Sequence, residues 1–149
     1  MKSKSPKKIF SDNLSKSYDS KNLKVFPSYS QMSKYSKLSF NRNPIKSFLT
    51  FPTLENLKTL DLNNTEIESF EGAKKQPQLE SISIRSSPIS NQKFFIEMCL
   101  IAFGNQITSI NGKPVTKKQH KFVTENGDLL SPFINQGWII TSLQPNIHI

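Results

Sequence analysis

The chain has 149 residues, of which 35% are hydrophobic and 21% are charged, a size and composition that predict one globular domain with terminal extensions. No apolar run approaches the roughly 20 residues that span a bilayer, which excludes a transmembrane helix, and the basic start lacks the apolar stretch of a secretory signal. Cys99 is the single cysteine, which excludes an intrachain disulfide and favours a reducing, intracellular compartment.

Residues 1–34 are predicted to form a basic leader rich in serine and lysine. Residues 1–46 hold eleven Lys and Arg side chains against two Asp, so the whole net charge of +9 arises in this part of the chain. The apolar residues of the leader follow no sustained period, which predicts an extended or disordered segment.

A period of 22 residues is visible after the leader, because three segments align without a gap. The spacing L-x-x-L-x-L-x-x-N/T/S-x-I is typical of a leucine-rich repeat. It predicts an α/β fold over residues 35–116: a short right-handed solenoid with a parallel β-sheet on its concave face, capped by a C-terminal helix. The aligned columns are Tyr35, Leu57 and Leu79; Leu38, Leu60 and Ile82; Phe40, Leu62 and Ile84; Asn43, Thr65 and Ser87; and Ile45, Ile67 and Ile89.

Polar residues in the turns of the repeat are expected to serve the backbone. Asn43 should lie inside its turn, where the amide can bond unpaired backbone groups, with Thr65 and Ser87 as weaker substitutes. Part of the leader forms a degenerate N-terminal cap in an alternative interpretation, because three of its apolar residues fall near repeat columns one period earlier: Tyr18, Leu23 and Phe26.

The segment after the third repeat is predicted to cover the exposed end of the solenoid. Asn91 is expected to cap a helix that ends at Gly104. Cys99 lies on the apolar face of this helix and is expected to be a packed core thiol. The residues of that face are Phe95, Met98, Cys99 and Ala102.

Several motifs in this cap carry a family resemblance. They are Pro88-Ile89, Phe94-Phe95, the apolar stretch to Phe103, Ile107-x-x-Ile110-Asn111-Gly112 and Val115-Thr116. Over about residues 35–121 the chain resembles intracellular leucine-rich repeat proteins of the phosphatase-regulator, axonemal dynein light-chain and spliceosomal A-prime types. Asn111 stands where these proteins usually have Asp. The resemblance implies a capped solenoid and a non-enzymatic binding scaffold.

Residues 117–149 are predicted to form a C-terminal extension that packs on the solenoid. Thr116 is expected to cap a short helix that runs through Phe122. Residues 129–140 hold seven apolar side chains in twelve positions, including the single tryptophan. Such a segment is expected to be covered, either by the solenoid or, in the alternative, by a partner.

Patterns of catalytic or metal-binding residues are not recognisable in the sequence. The run GNQITSINGK departs from a phosphate loop, because seven residues rather than four separate its glycines and Pro114 follows its lysine. His120 and His148 have no Cys or acidic neighbours at metal-ligand spacing. We therefore expect no enzymatic activity, no cofactor, no metal ion and no small-molecule substrate.

The outward positions of the three predicted strands are a candidate binding surface. They alternate with buried positions and form three polar columns across the concave sheet, where a helix or loop of a protein partner would dock. The alternative is that they are only the solvated positions that any such sheet must have. The nine residues are Lys37, Ser39, Asn41, Thr59, Asp61, Asn63, Ser81, Ser83 and Arg85.

The leader is a second candidate surface. We expect it to tether the protein to an acidic surface, cytoskeletal in kind, such as a microtubule or an axoneme, which places the protein in the cytoplasm, cytoskeleton or cilium. Phosphorylation of Ser5 would weaken this contact. The alternatives are a nuclear, RNA-associated protein that uses the leader on nucleic acid, and a merely solubilising tail. The tether lysines are Lys2, Lys4, Lys7 and Lys8.

Overall fold

The structure is a computed structural model that describes residues 14–143. In this range one six-stranded sheet runs in the order β1 to β6. The strands are β1 (Ser15–Ser17), β2 (Lys37–Ser39), β3 (Thr59–Asp61), β4 (Ser81–Ser83), β5 (Ser109–Ile110) and β6 (Lys113–Pro114). The helices are α1 (Tyr29–Met32), a 3-10 helix (Pro88–Asn91), α2 (Phe95–Phe103) and α3 (Lys117–Asn135).

Each strand from β2 to β4 pairs with the strand before it in the same register. Leu38 pairs with Leu60, and Leu60 pairs with Ile82, which is the offset of 22 residues found in the sequence. These three side chains are fully buried, because alternate residues of a strand point to the same face. β5 continues the sheet in parallel, and β6 pairs with it antiparallel. The predicted leucine-rich repeat solenoid with a parallel sheet is confirmed.

Residues 14–34 form an additional coil in front of the predicted repeats. β1 pairs with β2 at the same offset as the later strands. Tyr18 stacks on Phe40 with ring centroids 5.2 Å apart, and Phe26 is buried in the same core. This part of the leader is therefore an ordered coil rather than an extended segment, because its few apolar residues reach the repeat columns. Residues 1–13 lie outside the described range.

Asn43 links the first two coils from inside its turn, as predicted. Its Oδ1 accepts hydrogen bonds from the backbone N–H groups of Lys21 and Leu23, at 3.0 and 2.9 Å. Its Nδ2 donates to the carbonyl oxygens of Tyr18 and Phe40, at 2.9 and 3.0 Å. One buried amide thus satisfies four backbone groups that the turn leaves unpaired.

Thr65 and Ser87 occupy the corresponding buried positions of the next two turns. Their hydroxyl oxygens lie 2.8 Å apart, and the Thr65 hydroxyl also donates to the Leu62 carbonyl at 3.0 Å. Each hydroxyl reaches fewer backbone groups than the Asn43 amide does. The prediction that Thr65 and Ser87 bond the backbone less extensively than Asn43 is confirmed.

A column of phenylalanine rings forms the centre of the core. Consecutive rings along this phenylalanine column are stacked, with centroids 6.0, 5.9 and 6.3 Å apart. Three of the rings come from equivalent positions of successive coils, and the fourth comes from α2, which covers the last coil. The column consists of Phe26, Phe48, Phe70 and Phe95.

The prediction that Asn91 caps α2 is wrong. Pro88 starts a separate 3-10 turn that ends at Asn91, and the extended backbone of Gln92 interrupts the helical path before α2 begins at Phe95. The other end was predicted correctly, since α2 stops at Gly104, whose φ of +140° favours glycine.

Cys99 lies on α2 and is fully buried, as predicted for a core thiol. Burial raises the pKa of this thiol far above its ordinary value, because the apolar surroundings disfavour the thiolate. The thiolate is the reactive form of cysteine, so the side chain acts as a packing group.

α3 begins where the sequence predicted but extends much further. Thr116 caps it, with its Oγ1 accepting from the Gln119 N–H at 3.1 Å, and the Gln119 Oε1 accepts in turn from the Thr116 N–H at 2.8 Å. Gly127 is buried where α3 packs on α2, and a Cβ at this position would lie 3.3 Å from the Val123 side chain of α3 and 4.0 Å from the Ile101 side chain of α2. The far end is fixed to the third coil, because the Asn135 amide donates to the Ala73 carbonyl at 2.7 Å.

The apolar segment 129–140 is only partly covered. Ile134 is buried, and the Ile140 N–H donates to the Met98 sulfur at 3.3 Å. Four large apolar side chains remain exposed: Leu129, Phe133, Trp138 and Ile139. Within residues 14–143, none of the helices combines the length and the hydrophobicity needed to cross a bilayer.

Candidate docking face

The structure brings the nine predicted residues together on one side of the sheet. The side chains of β2, β3 and β4 that face away from the core fall into two columns set by strand register. A third column follows at the ends of the strands. The first column contains Lys37, Thr59 and Ser81; the second contains Ser39, Asp61 and Ser83; the third contains Asn41, Asn63 and Arg85.

Three serines on the neighbouring strands extend these columns and were missed in the sequence. Ser15 pairs with Lys37 and Ser17 pairs with Ser39, so both lie one period before predicted positions. Ser109 pairs with Ser81 on the other side. The two β1 serines could have been found by extending the period backwards. Ser109 could not, because the chain between β4 and β5 contains α2 and breaks the period.

The third column is mainly structural. The Asn41 Oδ1 accepts from the backbone N–H of Asn63 at 2.8 Å, and the Asn63 Oδ1 accepts from the backbone N–H of Arg85 at 2.8 Å. Asp19 makes the equivalent bond before them, accepting from the Asn41 N–H at 2.9 Å, whereas the Asn111 Oδ1 accepts in the opposite direction, from the Ile84 N–H of the preceding coil at 2.7 Å. The oxygens of this side-chain ladder satisfy backbone groups between coils, so they are not free acceptors for a partner.

Two serines of the second column are also committed to contacts within the protein. The Ser39 hydroxyl donates to Asp19 at 2.5 Å. The Ser83 hydroxyl donates to the Asn63 Oδ1 at 2.8 Å and accepts from the Arg85 Nη1 at 3.2 Å. The residues whose polar groups remain available are therefore fewer than the sequence indicated.

Asp61 is a half-buried acidic side chain at the middle of the sheet. Within residues 14–143 its carboxylate makes no hydrogen bond or ion pair. Burial raises the pKa of Asp61 because it disfavours the charged form, and the negative charge of Asp19 acts in the same direction. The positive charges of Lys37 and Arg85 oppose that rise. A carboxylate in this position is a ready acceptor for a donor from outside the protein.

The Arg85 side chain is held beside the β5–β6 turn by two hydrogen bonds. Its Nη2 donates to the Asn111 carbonyl at 2.5 Å and its Nη1 donates to Ser83. A Cβ at Gly112 would lie 2.7 Å from Nη2, so the turn leaves just enough room for the guanidinium. A guanidinium has five N–H donors, and further donors therefore remain on an exposed side chain.

Groups of three or more acidic, histidine or cysteine side chains suited to a metal ion are absent from residues 14–143. The His120 ring is engaged locally, since its Nδ1 lies 2.8 Å from the Asn105 Oδ1. His148 and the tether residues Lys2, Lys4, Lys7 and Lys8 lie outside the described residues. Of the nine predicted residues, three are charged, namely Lys37, Asp61 and Arg85, and the other six are polar and uncharged.

Comparison with solved structures supports the fold described above. The chain is similar to the crystal structure of the Drosophila melanogaster SNF/U2A′ complex, with 16% identity, coverage of 80% of this chain and 87% of that chain, and a TM-score of 0.50. This chain has the leucine-rich repeat fold. The structure of Chaetomium Mex67:Mtr2 subunits also matches, with 16% identity, 69% of each chain and a TM-score of 0.43. No protein-family model matches the chain, and no curated protein matches it.

Proposed function

We propose that the protein is a non-enzymatic interaction scaffold that binds another protein on the concave face of its repeat sheet. The observation that carries this proposal is the unpaired Asp61 carboxylate. Partly burying an ion without a partner costs free energy, and the equivalent positions of the neighbouring strands are the serines Ser39 and Ser83. Asp61 is therefore a costly residue for stability and a useful one for recognition.

The size of the face fits one element of a partner. Five parallel strands at a spacing of about 4.8 Å span roughly 19 Å, whereas three strands would span only about 10 Å. An α-helix with its side chains is about 10 Å across, so a single helix or loop can lie on the face. The additional coil of residues 14–34 supplies the first of these strands.

The basic leader is proposed to act as a separate tether. Its four lysines come before β1 in the sequence, and α2 and α3 come after the repeat strands β1 to β4; the lysines are Lys2, Lys4, Lys7 and Lys8. Such a charge cluster would attract an acidic surface of cytoskeletal kind, and the attraction would weaken at high salt. A cytoplasmic or ciliary location would follow from this contact.

An RNA-associated, nuclear role remains the second candidate. A face that binds a phosphate backbone should be consistently basic. The concave face instead carries Asp19 and Asp61 as well as Lys37 and Arg85, which supports a protein partner. The leader alone would have to supply the contact with nucleic acid.

The proposal is tested by capture from cell extract with the full chain, with Asp61→Lys, and with a chain that lacks residues 1–13. The deletion stops at 13 because residues 14–34 belong to the solenoid. Glu68→Lys makes the same change in charge at an exposed loop position and serves as the control.

We expect Asp61→Lys, but not Glu68→Lys, to lose a specific set of proteins at both low and high salt. The deletion should lose a different set, and only at low salt. If Asp61→Lys captures the same proteins as the unchanged chain, the concave face is not the binding surface. If the deletion loses nothing at low salt, the tether is wrong.

A further inference from the structure

We propose that the partner segment on the concave face carries charges in the order acidic, basic, acidic along a diagonal of the sheet, an inference that rests on the docking proposed above. The diagonal is formed by Lys37, Asp61 and Arg85. Their signs alternate, so the complementary segment must alternate in the opposite sense.

The diagonal follows from the sequence period. Asp61 lies 24 residues after Lys37, and Arg85 lies 24 residues after Asp61, which is one period of 22 plus two. Because Lys37 pairs with Thr59, the step from Lys37 to Asp61 crosses one strand and moves one outward position along the sheet. The step from Asp61 to Arg85 does the same, since Asp61 pairs with Ser83.

The three charges of the diagonal do not pair with one another. A step of about 4.8 Å across strands and about 6.7 Å along them separates successive Cα atoms by roughly 8 Å. Within residues 14–143 no ion pair joins Lys37, Asp61 and Arg85. The charges influence one another only at a distance, as the opposing effects of Lys37 and Arg85 on the pKa of Asp61 indicate.

The rest of the face does not compete with this pattern. Asp19 is already engaged by the Ser39 hydroxyl, by the Asn41 N–H and, at 3.8 Å, by Arg42. Five other outward positions carry short hydroxyl side chains, which let a partner backbone approach closely. They are Ser15, Ser17, Thr59, Ser81 and Ser109.

A helix of a different protein fits the diagonal, whereas α3 and the start of this chain do not have the required order of charges. Residues one or two turns apart on a helix rise about 6 and 10.5 Å, and long acidic and basic side chains bridge the difference from 8 Å. The exposed face of α3 has its lysines before its acidic residues rather than the alternating order. The leader has four lysines before its first acidic residue, Asp12. Neither α3 of a second copy nor residues 1–13 of the leader offers the complementary order.

The test uses a phage-displayed library of random helical peptides as the probe, selected separately on two full-length proteins. One is the unchanged chain. The other is the charge-reversed variant Lys37→Glu, Asp61→Lys, Arg85→Glu. Thr59→Tyr, a bulky substitution on the same face at an outward strand position, identifies which selected peptides bind there. Thermal unfolding of each variant confirms that it is folded.

We expect the unchanged chain to enrich peptides with acidic, basic and acidic residues in that order, and the reversed variant to enrich the opposite order. Asp61→Lys alone should weaken the first group by about tenfold or more, and replacing their central basic residue by Glu should restore binding to that variant.

The outcomes separate this inference from the function on which it rests. If peptides blocked by Thr59→Tyr show no charge order, or the same order on both proteins, the diagonal is wrong while docking on the concave face stands. If no enriched peptide is blocked by Thr59→Tyr, or none is enriched at all, the proposed function fails with it.

Discussion

Phe48 stacks on Phe70 with ring centroids 5.9 Å apart and ring planes 10° from parallel. The two residues are one repeat period apart, so a contact between coils is set by the period itself. Phe26 continues the stack on one side and Phe95, from α2, on the other. Cohesion between coils therefore depends on rings that no single coil could bury alone.

Phe48→Ala should destabilise the protein by about 3–5 kcal/mol, because the substitution leaves a cavity at the centre of the phenylalanine column. Phe48 is fully buried and also contacts Phe51 and Phe103. Urea unfolding measures the loss. Leu49→Ala is the matched control, since Leu49 is 60% exposed and should change stability by less than about 0.5 kcal/mol. Equal effects of the two would contradict a central role for the column.

Asn43→Ala should cost about 2–4 kcal/mol, because it leaves buried backbone groups of two coils without hydrogen-bond partners. Thr65→Ala removes a hydroxyl bonded to Ser87 and to one carbonyl, so its cost should be smaller. Hydrogen exchange distinguishes the mechanism from a general loss of stability. The amides of Lys21 and Leu23, which donate to Asn43, should exchange faster relative to amides of β4 in the Asn43→Ala variant.

The sequence predicted the interior of the repeats better than their surface. The columns of Leu60 and Asn43 recur at a fixed period and determine the fold. The outward asparagines did not reveal their role, because Asn41 and Asn63 bond to backbone groups only after neighbouring coils are in register. Nor could Asn91 be excluded as a helix cap, since the Pro88 turn that displaces it competes locally with α2.

Leu60→Asp should unfold the protein, because it places an unpaired charge in the core between Leu38 and Ile82. Thr59→Asp is the control on the same strand. Thr59 points to the opposite face of the sheet and is half-exposed, so the same new charge should be tolerated there. Circular dichroism during heating measures both. A folded Leu60→Asp variant with an unchanged melting temperature would contradict the strand register.

Asp61→Asn should stabilise the protein slightly at neutral pH and have no effect on stability at acid pH. Burial raises the pKa of Asp61 in the folded state, so the folded protein holds this proton more tightly than the unfolded chain does. The contribution of Asp61 to the free energy of unfolding is therefore largest when the side chain is protonated. It decreases as pH rises through the range in which carboxyl groups ionise, from about pH 4 upward.

The effect should be small because the side chain is half-exposed and its charge is partly screened. Urea unfolding at a series of pH values, for the unchanged chain and for Asp61→Asn, gives the difference. Glu68→Asn at an exposed loop position controls for the loss of a charge. A stability difference for Asp61→Asn that grows towards low pH would contradict the direction of the pKa shift.

Deletion of residues 1–13 should leave the melting temperature nearly unchanged, whereas deletion of residues 1–34 should lower it strongly or prevent folding. The longer deletion removes β1 and the Tyr18 and Phe26 rings that pack on the core, so it exposes Leu38 and Phe40 to water. It also leaves the buried Asn43 amide without three of its partners. Differential scanning calorimetry of the two truncated proteins measures the difference. Similar melting temperatures for both would show that residues 14–34 contribute nothing to the solenoid, contrary to the pairing of β1 with β2.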